Sequence, residues 1–227
     1  MERIPEPDLM DEPAQALAYA RADFEEPHQA LIDKLKSLFP SLPTQGVALD
    51  LGCGPGDISI RFAQAFPAWN VDGVDGAASM LNLGREDIKA RELDSRIQLY
   101  EVYLPQDSAP KEAYDFIFSN SLLHHLAEPM DLWRSLLALS QSHTPVFIMD
   151  LMRPESREQA EAMKLKYAAG EPEVLQTDFF NSLLAAYSLD EVRGQLESIG
   201  LSHLNLEATS DRHWIAWGYP MDPERHV

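Results

Sequence analysis

The sequence predicts an α/β fold: a doubly wound, mostly parallel seven-stranded sheet with an antiparallel C-terminal edge hairpin and a small helical cap. Three observations predict it. Short apolar runs alternate with helix-period segments between Val47 and Met149. The first run leads into a glycine turn, Gly52-Cys53-Gly54-Pro55-Gly56. Two last runs, Leu201 to Ala208 and Trp214 to Gly218, are joined by a polar turn, as in a hairpin.

Taken in order, the first ten residues carry Pro5 and Pro7 among acids and read as extended or loose. Asp11 can cap a helix that has Pro13 in its first turn and good helix formers from Ala14 to Phe24. A second helix follows Pro27, with Leu31, Leu35, Leu38 and Phe39 on one face, and stops before Pro40. These helices precede the first strand and fit a lid over a ligand site, with Tyr19 and Phe24 reaching into it; packing on the core is the alternative.

Val47 to Leu51 is apolar enough to be a strand buried on both faces. Asp57 can cap the next helix, whose apolar face carries Ile58, Phe62 and Phe66. Asn70 to Asp75 reads as a strand and Ala77 to Glu92 as a helix with Met80, Leu81 and Ile88 inward. Ile97 to Val102, Phe116 to Phe118 and Val146 to Met149 are further strands, with a helix from Leu126 to Leu139 before the last of them.

The alternation breaks from Leu151 to Ser188, where a helix from Glu155 to about Ala168 and the run Asp178 to Leu184 suggest a cap beside the site. Ser188-Leu189-Asp190-Glu191 is a capping box opening one more helix, which Gly200 closes. The expected organisation is a helical lid over 1–40 and a Rossmann-like domain over 41–227, with the cap inserted at about 151–188.

Composition narrows the function. With 37 acidic against 18 basic residues the formal net charge is -19, which repels nucleic acid phosphates and anionic membrane surfaces. The single cysteine permits no intramolecular disulfide and fits a reducing cytoplasm. The N-terminal segment lacks the apolar stretch of an export signal, and no apolar run is long enough to span a bilayer, so a cytoplasmic protein is expected.

The glycine turn is a nucleotide-binding element, because glycines allow a sharp turn and leave room for a ligand. Its spacing is Gly52-x-Gly54-x-Gly56, with Asp57 where a dinucleotide fingerprint has its third glycine. That weakens a nicotinamide-dependent oxidoreductase without removing it, since Asp75 at the next strand end can bind a ribose in either class.

Leu49-Asp50-Leu51-Gly52-Cys53-Gly54-Pro55-Gly56 resembles the first motif of class I S-adenosylmethionine-dependent methyltransferases of the small-molecule type. The resemblance continues in order through Val71 to Asp75, Tyr114 to Asn120 with Leu123-His124-His125-Leu126, and Phe147 to Asp150. It implies methyl transfer from S-adenosylmethionine to a small molecule by direct displacement, leaving S-adenosylhomocysteine (SAH). It further implies that Gly52, Gly54 and Gly56 line the methionine and ribose, that Asp75 accepts from the ribose hydroxyls, and that Met80 packs near adenine. Asp50, Cys53, Gly76 and Asn120 complete the implied cofactor set, with Cys53 chemically inert. Where many members carry an acidic residue at the adenine, this chain has Glu101 to Asp107, and Tyr103 is expected to stack on or flank the base instead.

A general base is needed only for an acceptor that arrives protonated. His124 and His125 are the candidates, and adjacent side chains diverge, so at most one of them is expected to face the acceptor. No H-x-x-x-H or C-x-x-C spacing supports a metal, and none is expected. Arg153 can clamp an acid or form a loop salt bridge, while Phe179 and Asn181 of the cap fit an acceptor, the cap's own core or a homodimer contact. A non-catalytic cofactor-binding partner protein is the remaining alternative.

Overall fold

The computed structural model describes residues 1–6, 11–105 and 107–221. Its centre is a sheet of seven strands: β1 (Gly46–Leu51), β2 (Trp69–Asp75), β3 (Ile97–Glu101), β4 (Phe116–Asn120), β5 (Val146–Leu151), β6 (Asn205–Ala208) and β7 (His213–Gly218). Their order is β3-β2-β1-β4-β5-β7-β6. The pairs among β1 to β5 are parallel, and β7 runs antiparallel between β5 and β6. The order reverses between β1 and β4, where doubly wound sheets open a crevice at the carboxyl ends of the strands.

Both faces of the sheet are covered, and residues alternate between two cores. Ala48, Val71, Phe116 and Phe118 face one side, packed with helices α2 (Glu25–Leu38), α3 (Asp57–Ala65) and α4 (Ala78–Ala90). Leu49, Val74, Ile117 and Ile148 face the other, packed with α5 (Met130–Leu139) and α8 (Leu189–Ser198). Two-sided burial is why the central strands read as unbroken apolar runs. The capping box at Ser188 and Glu191 forms as predicted.

The cap consists of α6 (Arg157–Tyr167) and α7 (Glu173–Ala185), which share a small core of Ala160, Met163, Leu183 and Leu184. Helix α1 (Pro13–Arg21) lies against α4 and α7, and buries Ala16 with Ala77 and Met80.

Four local expectations are corrected. Asp11 does not cap α1, which begins after Glu12 with no side-chain cap; its Oδ1 instead accepts from Ser79 N at 2.8 Å, capping α4 from outside. Asp57 is the first residue of α3 rather than its cap, because Gly56 takes the cap position at φ +80°. Helix α5 starts at Met130, since Pro129 lacks an N–H and would break a helix already begun at Leu126; Leu123–His125 form a separate 3₁₀ turn. Helix α2 starts at Glu25, two residues before Pro27, which a first turn tolerates.

The N-terminal residues are extended but not loose. Ile4 N donates to Leu184 O at 3.0 Å, Arg3 donates to the carbonyls of Ala185 and His124, and its guanidinium lies 4.2 Å from the Tyr187 ring centre. This strap joins the cap to the 3₁₀ turn. Residues 7–10 and Gln106 lie outside the described residues.

Candidate active site

The site forms where β1 and β2 end. Gly52 and Cys53 donate their N–H groups to Val74 O at 2.9 and 3.0 Å, which folds the turn over β2. At Gly52 φ is +72°, and a Cβ there would meet Leu122 at 2.8 Å, so only glycine fits. At Gly54 a Cβ would meet nothing within 4 Å: its backbone borders open space.

Asp75 closes the turn from below. Its Oδ2 accepts from Gly54 N and its Oδ1 from Ala77 N, both at 2.8 Å. Each carboxylate oxygen thus has one anchoring N–H and a lone pair left over. Burial raises its pKa, opposed by the two N–H bonds. Asp50 is buried beneath the turn and accepts from Ser59 Oγ at 2.6 Å; burial pushes it up to about 7 against that bond. The Cys53 thiol is buried beside Asp50 and Asp75 and pushed well above its ordinary value, which makes it unreactive.

A cavity of about 1130 Å³ opens from this turn toward the cap. Asp50, Gly52, Cys53, Gly54, Asp75 and Gly76 line it, and so do Met80, Tyr103 and Asn120. Tyr19 and Phe24 line it from the N-terminal helices, Phe179 from the cap, and His124 with His125 from the 3₁₀ turn. Three predicted residues do not. Gly56 serves as the left-handed cap of α3. Arg153 does not clamp a ligand: its guanidinium donates to Ala186 O and pairs with Glu191 at 2.7 Å, which is the loop salt bridge. Asn181 of α7 is exposed and away from the cavity.

Both histidines line the cavity, and each is held by its own carboxylate. His124 is buried, with Nδ1 2.5 Å from Asp150 Oδ1. Asp150 Oδ2 also accepts from Leu123 N at 2.6 Å, fixing the turn to the end of β5. A carboxylate partner places the proton on Nδ1 and leaves Nε2 with the lone pair. His125 Nδ1 lies 2.6 Å from Glu6 Oε2, and Glu6 Oε1 accepts from Ser182 Oγ at 2.6 Å.

Burial disfavours the His125 imidazolium, but the Glu6 hydrogen bond and charge outweigh it and raise the pKa above 6.5. Burial likewise works against ionised Glu6, and His125 prevails, holding it below 4.5. The pair's contribution to stability is complete between these ordinary values. It is lost as pH falls through the lowered Glu6 value, or rises through the raised His125 value. Glu6→Gln is therefore expected to destabilise the protein by about 2 kcal/mol at pH 6 and to flatten this dependence, measured by urea unfolding from pH 4 to 9.

The fold also assembles groups that sequence spacing conceals. Donor atoms of Glu6, His124 and His125 lie within 4.8 Å of one another, although both Nδ1 atoms are committed to carboxylates. Asp57 Oδ2 accepts from His28 Nδ1 at 2.6 Å and from Arg61 Nε at 2.8 Å, tying α2 to the start of α3. The Phe24 ring stacks on His28 and the Tyr19 ring leans on Phe24, each at 5.0 Å between centres. Burial and the charges of Asp57 and Asp75 push the Tyr19 phenol up to about 12, so it stays protonated. Only the Asp57–Arg61 spacing of four on a helix was visible in sequence.

A strand order of β3-β2-β1-β4-β5-β7-β6, with a glycine turn at the switch point and an acid ending β2, is the Rossmann-like fold shared with S-adenosylmethionine-dependent methyltransferases of known structure. Residues 48–145 match the model of a family described as a methyltransferase domain. The chain is 30% identical over 132 residues to a trans-aconitate 2-methyltransferase of Variovorax paradoxus, covering 57% of this chain and 47% of that one. It thus spans about half or less of the curated relatives it matches. Among solved structures, a putative S-adenosyl-L-methionine-dependent methyltransferase of Methanococcus maripaludis superposes with a TM-score of 0.71 at 16% identity, over 99% of this chain and 100% of that one. The plantazolicin methyltransferase BpumL in complex with SAH gives 0.68 at 14% identity, over 90% of each chain. Among the described residues, no helix is long and apolar enough to cross a membrane.

Proposed function

We propose that this chain transfers a methyl group from S-adenosylmethionine to a small-molecule acceptor. The observation that carries this reading is Asp75, whose two oxygens are each tied by one backbone N–H and stand beside the open backbone of Gly54. A vicinal diol can donate one hydrogen bond to each oxygen. Met80, buried with Ala77 and Tyr19, forms an apolar wall suited to adenine. The curated relatives' name, trans-aconitate 2-methyltransferase, supports a small acceptor here too.

Bound, S-adenosylmethionine supplies a sulfonium-activated methyl group, so the protein's work is alignment and exclusion of water. The lid over 1–40 and the cap over 151–188 enclose the acceptor. His124 takes the acceptor's proton at Nε2 while Asp150 holds the Nδ1–H tautomer; His125, whose charged form the Glu6 carboxylate favours, is the poorer base. The acidic surface disfavours nucleic acid, and the setting is cytoplasmic.

Calorimetry with S-adenosylmethionine, SAH and NADH tests the cofactor: tight binding of NADH alone would sink the reading. With an accepting substrate, His124→Gln is expected to lower turnover about a hundredfold while leaving SAH affinity within about twofold. An unchanged rate would remove the base.

A further inference from the structure

Two polar side chains of the cavity wall are not spent on the protein. Arg212 and His213, where the chain enters β7, line the cavity together with Tyr167 of the cap. The Arg212 guanidinium lies 3.4 Å from the centre of the Tyr167 ring. A guanidinium stacked on a ring keeps its N–H donors free at its edge. Among the described residues only Asp211 takes one of them, with Oδ1 3.1 Å from Nη1. Lys166 Nζ reaches Asp211 Oδ2, also at 3.1 Å, so two cations share one carboxylate and positive charge is left over, in a chain of net charge -19.

His213 pairs in register with Leu151 of β5, and the period-two alternation of a strand sets it on the face of β7 that carries Ile215. Ser210 Oγ accepts from Arg212 N at 3.3 Å and from His213 N at 3.0 Å, which fills both lone pairs, so its proton goes to His213 Nδ1 at 3.1 Å. The ring's own proton therefore sits on Nε2, which has no hydrogen-bond partner among the described residues and is not closed to water. Burial and then the charge of Arg212 push the imidazole down to about 4, with Asp150 and Asp211 opposing, so it donates as a neutral ring. Together Arg212 and His213 present N–H donors and no acceptor. An ammonium group would meet only donors and surplus positive charge, whereas a carboxylate has the lone pairs to accept from both side chains. The other arginines of the wall differ: Arg61 and Arg91 are each paired with an acid, and Arg21, without an ion pair, is an exposed residue at the end of α1.

We propose that Arg212 and His213 form an anion subsite for the acceptor, in which a carboxylate of the acceptor takes hydrogen bonds from the Arg212 guanidinium and from His213 Nε2–H. The Tyr167 ring holds the guanidinium in place, and Ser210 holds the imidazole in the donating tautomer. This rests on the methyl-transfer reading for the cavity's role, and it assigns the charge of the acceptor and the residues that select it, which that reading leaves open.

The test is calorimetry on the full chain with three probes sharing a five-carbon frame: glutarate, glutaramide and cadaverine, each titrated with and without saturating SAH. One charge-assisted hydrogen bond sets the scale at about tenfold. Glutarate is expected to bind at least tenfold tighter than glutaramide, and cadaverine to bind most weakly. Arg212→Gln and His213→Phe should each cost glutarate about tenfold while SAH stays within about twofold, and Arg21→Gln should leave both affinities unchanged. Glutaramide or cadaverine that binds as well as glutarate overturns the proposal, as does glutarate that does not bind, or glutarate affinity that Arg212→Gln and His213→Phe leave unchanged. A loss confined to Arg21→Gln would place the acid at that residue and overturn it too. If Arg212→Gln fails to fold, His213→Phe and the ranking on the unaltered protein decide. Failure of SAH to bind refutes the cofactor reading separately, and the titrations without it still decide on Arg212 and His213.

Discussion

Asp75→Ala is expected to weaken SAH binding by about a hundredfold or more, the largest loss of affinity from any single site residue. Two charge-assisted hydrogen bonds, at about 1.5–3 kcal/mol each, set the scale. The same substitution frees Gly54 N and Ala77 N, so the turn relaxes as well as losing its acceptor. Asp75→Asn separates the two effects: an amide keeps a single acceptor oxygen and should retain part of the affinity. Because burial raises the Asp75 pKa, affinity in the unaltered protein should decline on acidification at a higher pH than an ordinary carboxylate would give. Calorimetry at several pH values measures both, and affinity unchanged in Asp75→Ala would remove this residue from the cofactor site.

Phe62→Ala is expected to destabilise the fold by about 3–5 kcal/mol with no direct effect on the site. Phe62 is fully buried on α3, where its ring centre lies 4.7 Å from Phe66, 5.0 Å from Phe118, 5.7 Å from Phe116 and 5.8 Å from Trp69. Removing it opens a cavity under β4 and β2 and breaks offset-stacked and edge-on ring contacts. Urea unfolding should show a lower midpoint at an unchanged slope, which marks lost packing rather than a changed unfolded state. A midpoint shift of under about 1 kcal/mol equivalent would mean that the neighbouring rings collapse into the space.

The lid and the strap bear on function through the same chemistry. Asp57 holds His28 of α2, Glu6 holds His125, and Asp11 caps α4 from the segment before α1. Burial raises and its partners His28 and Arg61 lower the Asp57 pKa, with the partners prevailing. The N-terminal chain is thereby fixed to the 3₁₀ turn, α3 and α4, each of which contributes to the cavity wall.

How much of this was legible in the sequence follows from the range of each interaction. The alternation of buried runs with helical faces, the glycine turn before Asp57 and the capping box at Ser188 are local patterns, fixed by φ, burial and spacing within a few residues. They determined the sheet, its hairpin, the turn and the place of Asp75. Pairings between residues far apart in the chain were not legible. Glu6 with His125, His28 with Asp57 and Arg153 with Glu191 leave no periodic trace, because side-chain partners are chosen by where the backbone brings them. That is why Arg153 was a plausible ligand clamp by sequence and is a structural ion pair in the fold, while Glu6 gains its role only where the fold sets it against His125. The sequence by itself determined the class of ligand the turn receives; only the tertiary structure decided which carboxylates are spent on the protein, since desolvation and pairing exist only once the chain is closed around the cavity.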